Sequence, residues 1–321
     1  MTTADPARGA ASHRDGRPPE SAAAVEAVGL TKIYRGGGRG VEDLYLRVER
    51  GQVFGFLGPN GSGKSTTIRL MLDLLRPTSG RVALLGRDSR LGGPRLRRHI
   101  GYLPGDLRLQ PRMTGNQLIL LASRLRGMDG TGDAETLTRR LNLETARPMS
   151  ELSRGSRQKI GLILAFMHRP DLLVLDEPTS GLDPLVQQVF AEMCREATGR
   201  GATVFLSSHV LSEVQHLADR IAVVRDGRLA LVETVETLRQ RAAQRVTVTF
   251  AAPPPPRAFE GTEGTRVLNR RGASIQLAVT GSFDGLVKEL AGYEVVRLDS
   301  READLEDVFL DLYRSEGPGA G

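Results

Sequence analysis

Residues 51–67 read GQVFGFLGPNGSGKSTT. Within them, Gly58-Pro59-Asn60-Gly61-Ser62-Gly63-Lys64-Ser65 fits G-x-x-x-x-G-K-[ST], the phosphate-binding loop. The motif carries weight only between a strand and a helix. Here an apolar strand, Val53–Leu57, leads in and a helical pattern, Thr66–Leu75, leads out. Gly58, Gly61 and Gly63 let the backbone curl through dihedrals that other residues avoid. A loop so curled turns its N–H groups inward, at the positive end of the following helix. Lys64 supplies a compact charge for β- and γ-phosphates, and Ser65 a hydroxyl for Mg²⁺. The chain uses Arg for most of its positive charge, so a Lys at this position is a specific choice.

A second apolar run, Leu172-Leu-Val-Leu, ends in Asp176-Glu177-Pro178. It reads as a buried parallel strand with carboxylates at its C-terminal end, where ligands bind in such sheets. Asp176 is placed to hold Mg²⁺. Glu177 is the candidate general base for an attacking water. Adjacent residues on a strand face opposite ways, so the two acids are expected to divide their roles. A third run, Ala202–Leu206, is followed by Ser207-Ser208-His209. His209 either orients Glu177 beside a γ-phosphate or is an ordinary surface histidine. Tyr34, at the end of a strand over 25–33, either stacks on an adenine or is an edge residue.

The chain has 321 residues, a formal net charge of +6 and one cysteine, Cys194. Its length allows one large or two modest domains. A single cysteine excludes an internal disulfide. No run approaches the ~20 apolar residues of a membrane span. The basic balance is compatible with a nucleic acid partner, but it is spread out rather than gathered into a basic run, and no nucleic acid is expected. Residues 1–24 have the composition of a disordered tail. Strands are expected at 25–33, 41–48 and 81–86. Helical patterns dominate 92–165, with helices over Thr114–Leu125, Ala134–Leu143 and Ser156–Met167. Asp226-Gly227, between Ile221–Arg225 and Arg228–Val232, signals a type I′ hairpin. A helix, Val235–Ala243, follows. Beyond it lie strands over Arg245–Phe250, Thr265–Leu268, Ser274–Val279 and Val295–Leu298, and helices over Phe283–Leu290 and Leu305–Tyr313. Pro253–Pro256 is a non-helical spacer.

These motifs, in this order, resemble the nucleotide-binding subunit of an ATP-binding-cassette (ABC) transporter. The discriminating stretch is Leu152-Ser153-Arg154-Gly155-Ser156-Arg157-Gln158, similar to the family signature LSGGQ. Ser180-Gly-Leu-Asp183 resembles the family's D-loop, His209 its switch histidine and Tyr34 its adenine-stacking aromatic. The resemblance implies an α/β fold: a P-loop NTPase core of mixed sheet, antiparallel β subdomain and inserted helical subdomain (about 92–165). That core would span 25–244. A small α+β accessory domain would follow at 245–315, then a tail at 316–321. It implies ATP and Mg²⁺ as cofactors, held by Tyr34, residues 58–66 (Gly58 to Thr66), Ser153, Gly155 and Asp183, with Ser65 and Asp176 on the metal. Lys64, Glu177 and His209 would carry the hydrolysis. In the family, the signature of one subunit caps the ATP of the other. A homodimer is therefore implied, driving separately encoded permease subunits of the ABC-2 type from the cytoplasmic face of the cell membrane.

The end of the chain, Leu305-Glu-Asp-Val-Phe-Leu, is similar to that of daunorubicin-type drug and antibiotic exporter subunits. Two departures stand out. Arg154 replaces the signature's first glycine. Gly105 and Asp106 follow Ile100-Gly-Tyr-Leu-Pro104, where the family places a glutamine that touches Mg²⁺ and water. Rival classes are a soluble cassette ATPase acting on nucleic acid or ribosomes, and a nucleotide sensor of low turnover.

Overall fold

The computed structural model describes residues 23–241 and 243–301. In chain order, an antiparallel pair comes first, β1 (Val25–Ile33) and β2 (Arg39–Val48), then β3 (Val53–Leu57), α1 (Lys64–Met71), β4 (Ser79–Leu84) and β5 (Arg87–Asp88). Next are α2 (Gly93–Arg97), β6 (Ile100–Leu103), α3 (Gly115–Arg126), α4 (Ala134–Arg140) and α5 (Arg154–Phe166). The chain continues through β7 (Leu172–Asp176), α6 (Pro184–Gly199), β8 (Thr203–Ser208), α7 (Leu211–Gln215), β9 (Arg220–Arg225), β10 (Arg228–Thr234) and α8 (Val235–Arg241). It closes with β11 (Gln244–Phe250), β12 (Thr265–Arg271), β13 (Ser274–Val279), α9 (Asp284–Leu290) and β14 (Val295–Arg301).

The central sheet runs β10-β9-β3-β8-β7-β6, parallel except for β10. Its faces follow strand alternation. Val53 and Leu57 of β3 enter one core, with Leu173, Leu175 and Ile221. Phe54 and Phe56 enter the other, with Ile68, Leu44 and Phe205. Phe54 stacks on Phe205 at 5.8 Å between centroids. Between them, Gly55 is required by close approach: a Cβ there would lie 2.3 Å from Val214 on α7. A separate antiparallel sheet, β2-β1-β4-β5, covers the second core. The last sheet, β12-β13-β11-β14, is wholly antiparallel and buries Val246, Val248, Ile275 and Leu277 with Leu286 and Leu290 of α9.

The structure adjusts several sequence expectations. Ala23 and Ala24, read as the end of a tail, are buried, and Ala24 pairs with Val48 and Leu85. The remainder of that tail, the helix over Leu305–Tyr313 and the tail at 316–321 lie outside the described residues. The helix after the loop starts at Lys64 and stops at Met71, because Asp73 turns to φ +55. α4 stops at Arg140, before Asn142 at φ +44. The stretch at 92–165 is not purely helical: β6 within it is the edge strand of the central sheet. The Asp226-Gly227 turn takes φ +48 and +80, as a type I′ hairpin requires.

His168 carries a pH expectation. Its Nε2 faces the Ile100 carbonyl at 3.2 Å, while Nδ1 is buried with no partner among the described residues. Burial first, and the neighbouring Arg126 second, depress its pKa to about 4 from 6.5. A depressed histidine is neutral in the fold but charged in the unfolded chain below pH 6.5. Its contribution to stability is therefore complete above pH 6.5 and is lost as pH falls toward 4. From pH 7 to pH 5 the loss is about 2 kcal/mol, at ~1.4 kcal/mol per pK unit. Denaturant midpoints at the two pH values check this, and His168→Leu flattens the difference.

Candidate active site

β3 delivers the chain to the phosphate-binding loop, and α1 begins at its lysine. The loop is braced from outside. The carbonyl of Ser62 accepts from the Gly227 N–H at 3.0 Å, so the β9–β10 turn holds it. Gly63 sits at φ +108, and a Cβ there would meet the Gly40 carbonyl at 2.4 Å. Only glycine permits β2 to press this closely on the loop.

A cleft of about 340 Å³ opens in front of the loop. Tyr34, Asn60, Gly61, Gly63, Lys64, Ser65, Thr66, Asp176 and Glu177 line it, together with Gly105, Asp106 and Arg69. Lys64 is 6% exposed; its Nζ donates to the carbonyls of Gly58 (2.7 Å) and Pro59 (3.2 Å) and lies 3.4 Å from Glu177 Oε1. Tyr34 leans on the loop, its hydroxyl 3.1 Å from Thr66 Oγ1. Ser62 is buried and turned away from the cleft.

The two acids share this cleft, contrary to the alternation expected of a continuing strand. β7 ends at Asp176, and Glu177 takes φ +51, a left-handed conformation that a glutamate rarely adopts. That turn brings both carboxylates to one side. Ser207 is what fixes it: its hydroxyl donates to Asp176 Oδ1 at 2.5 Å and accepts the Glu177 N–H at 3.1 Å. Glu177 Oε2 is 2.8 Å from His209 Nδ1. A carboxylate oxygen is the acceptor of such a pair, so the donor is the Nδ1–H of His209. Tyr102, half-buried near Asp176, has its pKa raised by burial and then by that carboxylate.

Ser207 engages Oδ1 of Asp176, and Oδ2 lies on the side of Gly105, 3.0 Å from where a Cβ on that glycine would stand. A hydroxyl at Ser65 and a carboxylate oxygen at Asp176 are hard donors, the set that Mg²⁺ takes alongside phosphate and water. The residues therefore fit that ion.

The structure does not bring the signature into this cleft. Ser153 caps α5, accepting the Ser156 N–H at 3.0 Å, and is exposed with Arg154; Gly155 is half-buried. Asp183 caps α6 through the Val186 N–H at 3.0 Å. Neither segment lines this cleft in its own chain. Sequence reasoning missed Ser207 as the brace of both acids; a polar residue ending an apolar strand beside the acid-ending one was its signal. It also missed Gln158, which donates to the carbonyls of Glu177 (3.3 Å) and Pro178 (3.0 Å).

Fold and site define a P-loop nucleotide-hydrolysing protein. The family description "ABC transporter" matches residues 41–180. The chain is 32% identical over 220 residues to the bacitracin transport ATP-binding protein BcrA of Bacillus licheniformis, covering 68% of this chain and 72% of that protein. It is 36% identical over 228 residues to the daunorubicin/doxorubicin resistance ATP-binding protein DrrA of Streptomyces peucetius, covering 70% and 69%. A match at 35% to the probable multidrug ABC transporter ATP-binding protein YbhF of Escherichia coli spans 71% of this chain and 40% of the relative. The solved ATP-binding subunit of an ABC transporter superposes with a TM-score of 0.63 at 29% identity, over 67% of this chain and 92% of that one. A bacterial ABC transporter cassette solved as a dimer shares the fold, with a TM-score of 0.59 at 22% identity over 66% and 98%. The chain belongs to the ABC transporter family, as an ATP-binding subunit with ATPase activity. No helix among the described residues is long and apolar enough to cross a membrane.

Proposed function

We propose that two copies of this subunit close around two ATP·Mg²⁺ and drive separate membrane subunits of the ABC-2 type in drug or antibiotic efflux. It would work from the cytoplasmic face of the cell membrane, with residues 25–244 as the cassette and the segment from 245 as an accessory domain. The observation that carries this reading is the open cleft. Lys64, Ser65, Asp176 and Glu177 converge on it, whereas Ser153 and Gly155, at a helix start suited to a γ-phosphate, lie outside it in the same chain. A second copy supplies the missing lid. The relatives named for bacitracin transport and daunorubicin resistance support the efflux assignment.

In this reading Lys64 and the loop N–H groups hold phosphate charge. Tyr34 stacks on the adenine. Ser65 and Asp176 hold Mg²⁺, which supplies charge neutralisation at the phosphates when bound. Glu177 takes the proton of the attacking water, and His209 holds that carboxylate in place from Nδ1; only as an imidazolium, a donor at both nitrogens, does it also reach a γ-phosphate oxygen from Nε2. Catalysis shared between two copies makes turnover concentration-dependent. Diluting the purified subunit through its dimer constant lowers ATP turnover per chain; turnover that stays flat across that range refutes the shared site.

A further inference from the structure

We propose that Arg154 is a positioning residue that sets the orientation of Glu177 within its own chain. The proposal rests on the reading of Glu177 as the group that acts on water. Where the family signature has a glycine, this chain presents a guanidinium, and it is engaged. Arg154 Nη2 donates to Ser180 Oγ at 2.9 Å. Its stem crosses Gly181, with Cγ, Cδ and Nε each 3.7 Å from the position of a Cβ on that residue. Gly155 presses on the same segment, since a Cβ there would meet the Gly181 carbonyl at 2.8 Å. One helical turn on, the buried Gln158 holds the carbonyls of Glu177 and Pro178.

The N-terminal turns of α5 thus grip residues 177–181 at both ends, Gln158 at the entry and Arg154 at the exit. The entry residue is the one that needs holding. Glu177 stands at φ +51, a conformation that persists in a glutamate only where its surroundings over-determine it. Ser207 restrains it from the strand side, and Arg154 prevents the segment beyond it from unwinding. A glycine at position 154 has no side chain with which to reach Ser180. The same contact makes the signature and the carboxylate of one chain move together. The signature serves the partner's nucleotide in the dimer proposed above, so Arg154 ties the chemistry of one site to closure over the other.

The test is ATP titration of the full chain as wild type, Arg154→Ala, Ser180→Ala and the double variant. A tether acting through Glu177 lowers kcat about fivefold, the scale of a partly exposed charge-assisted hydrogen bond, and leaves the KM for ATP within twofold. Ser180→Ala gives the same loss, and the double variant is no slower than either single one. Additive losses, or wild-type kcat in both single variants, overturn the tether. So does a raised KM at constant kcat, which marks a guanidinium on the partner's phosphates. Ser180→Ala removes one hydroxyl from a loop, so it carries the test if Arg154→Ala melts early. Glu177→Gln, run in parallel, separates the two claims: wild-type turnover there refutes the base assignment, whereas slow Glu177→Gln with normal Arg154→Ala and Ser180→Ala refutes the tether alone.

Discussion

Glu177→Gln binds ATP with near wild-type affinity and hydrolyses it about 10²-fold more slowly, the lower end of what loss of a general base costs. The substitution is close to isosteric, and the structure says what survives it. The Glu177 backbone is held by Ser207, and its carbonyl by Gln158, neither of which touches the carboxylate. An amide oxygen still accepts from His209 Nδ1, so the side chain keeps its direction. What disappears is a charge able to take a proton. In the proposed site phosphate binding would draw on Lys64 and the loop N–H groups, and removing a negative charge 3.4 Å from Lys64 would not weaken it. Single-turnover hydrolysis alongside a fluorescent-nucleotide titration separates the two effects. Unchanged hydrolysis would take Glu177 out of its assigned role.

What the sequence made legible was local. The loop reads from its motif together with the apolar strand that enters it and the helical pattern that leaves it, all contiguous in sequence. β7 reads from its apolar run and the acids that stop it. The features that escaped depend on distant partners. β6 has only four residues, one of them Gly101, and that glycine is there because a Cβ would lie 2.2 Å from the Ala165 carbonyl on α5. Strand propensity has little to register in such a segment. The left-handed turn at Glu177 runs against what its side chain prefers, and it follows from pairing with Ser207, thirty residues away in sequence. α6, sixteen residues long, was within reach. Asp183 and Pro184 make a cap and first-turn signal, and Val186, Phe190, Met193, Cys194 and Ala197 repeat at helical spacing. Reading Asp183 as part of a D-loop obscured its plainer role as the start of that helix.

Lys64→Ala weakens ATP binding about 100-fold or more. The ammonium has three N–H donors, and the two carbonyls with Glu177 Oε1 supply three acceptors around it. It is 6% exposed, so little water screens what it faces. Phosphates entering the cleft offer it stronger, charged acceptors in place of neutral carbonyls. A hydrogen bond to a charged group contributes ~1.5–3 kcal/mol, about 10- to 150-fold in affinity, and one ammonium can reach two phosphates. Alanine loses this and leaves the Gly58 and Pro59 carbonyls facing the incoming negative charge. Lys64→Arg does not rescue: the two loop carbonyls and Glu177 Oε1 gather around one Nζ, a point-charge arrangement that a planar, forked guanidinium does not reproduce. The measurement is a nucleotide titration with a melting curve on the same sample. Wild-type affinity in a folded Lys64→Ala variant would contradict the loop assignment itself, since no other cation is buried among the residues lining that cleft.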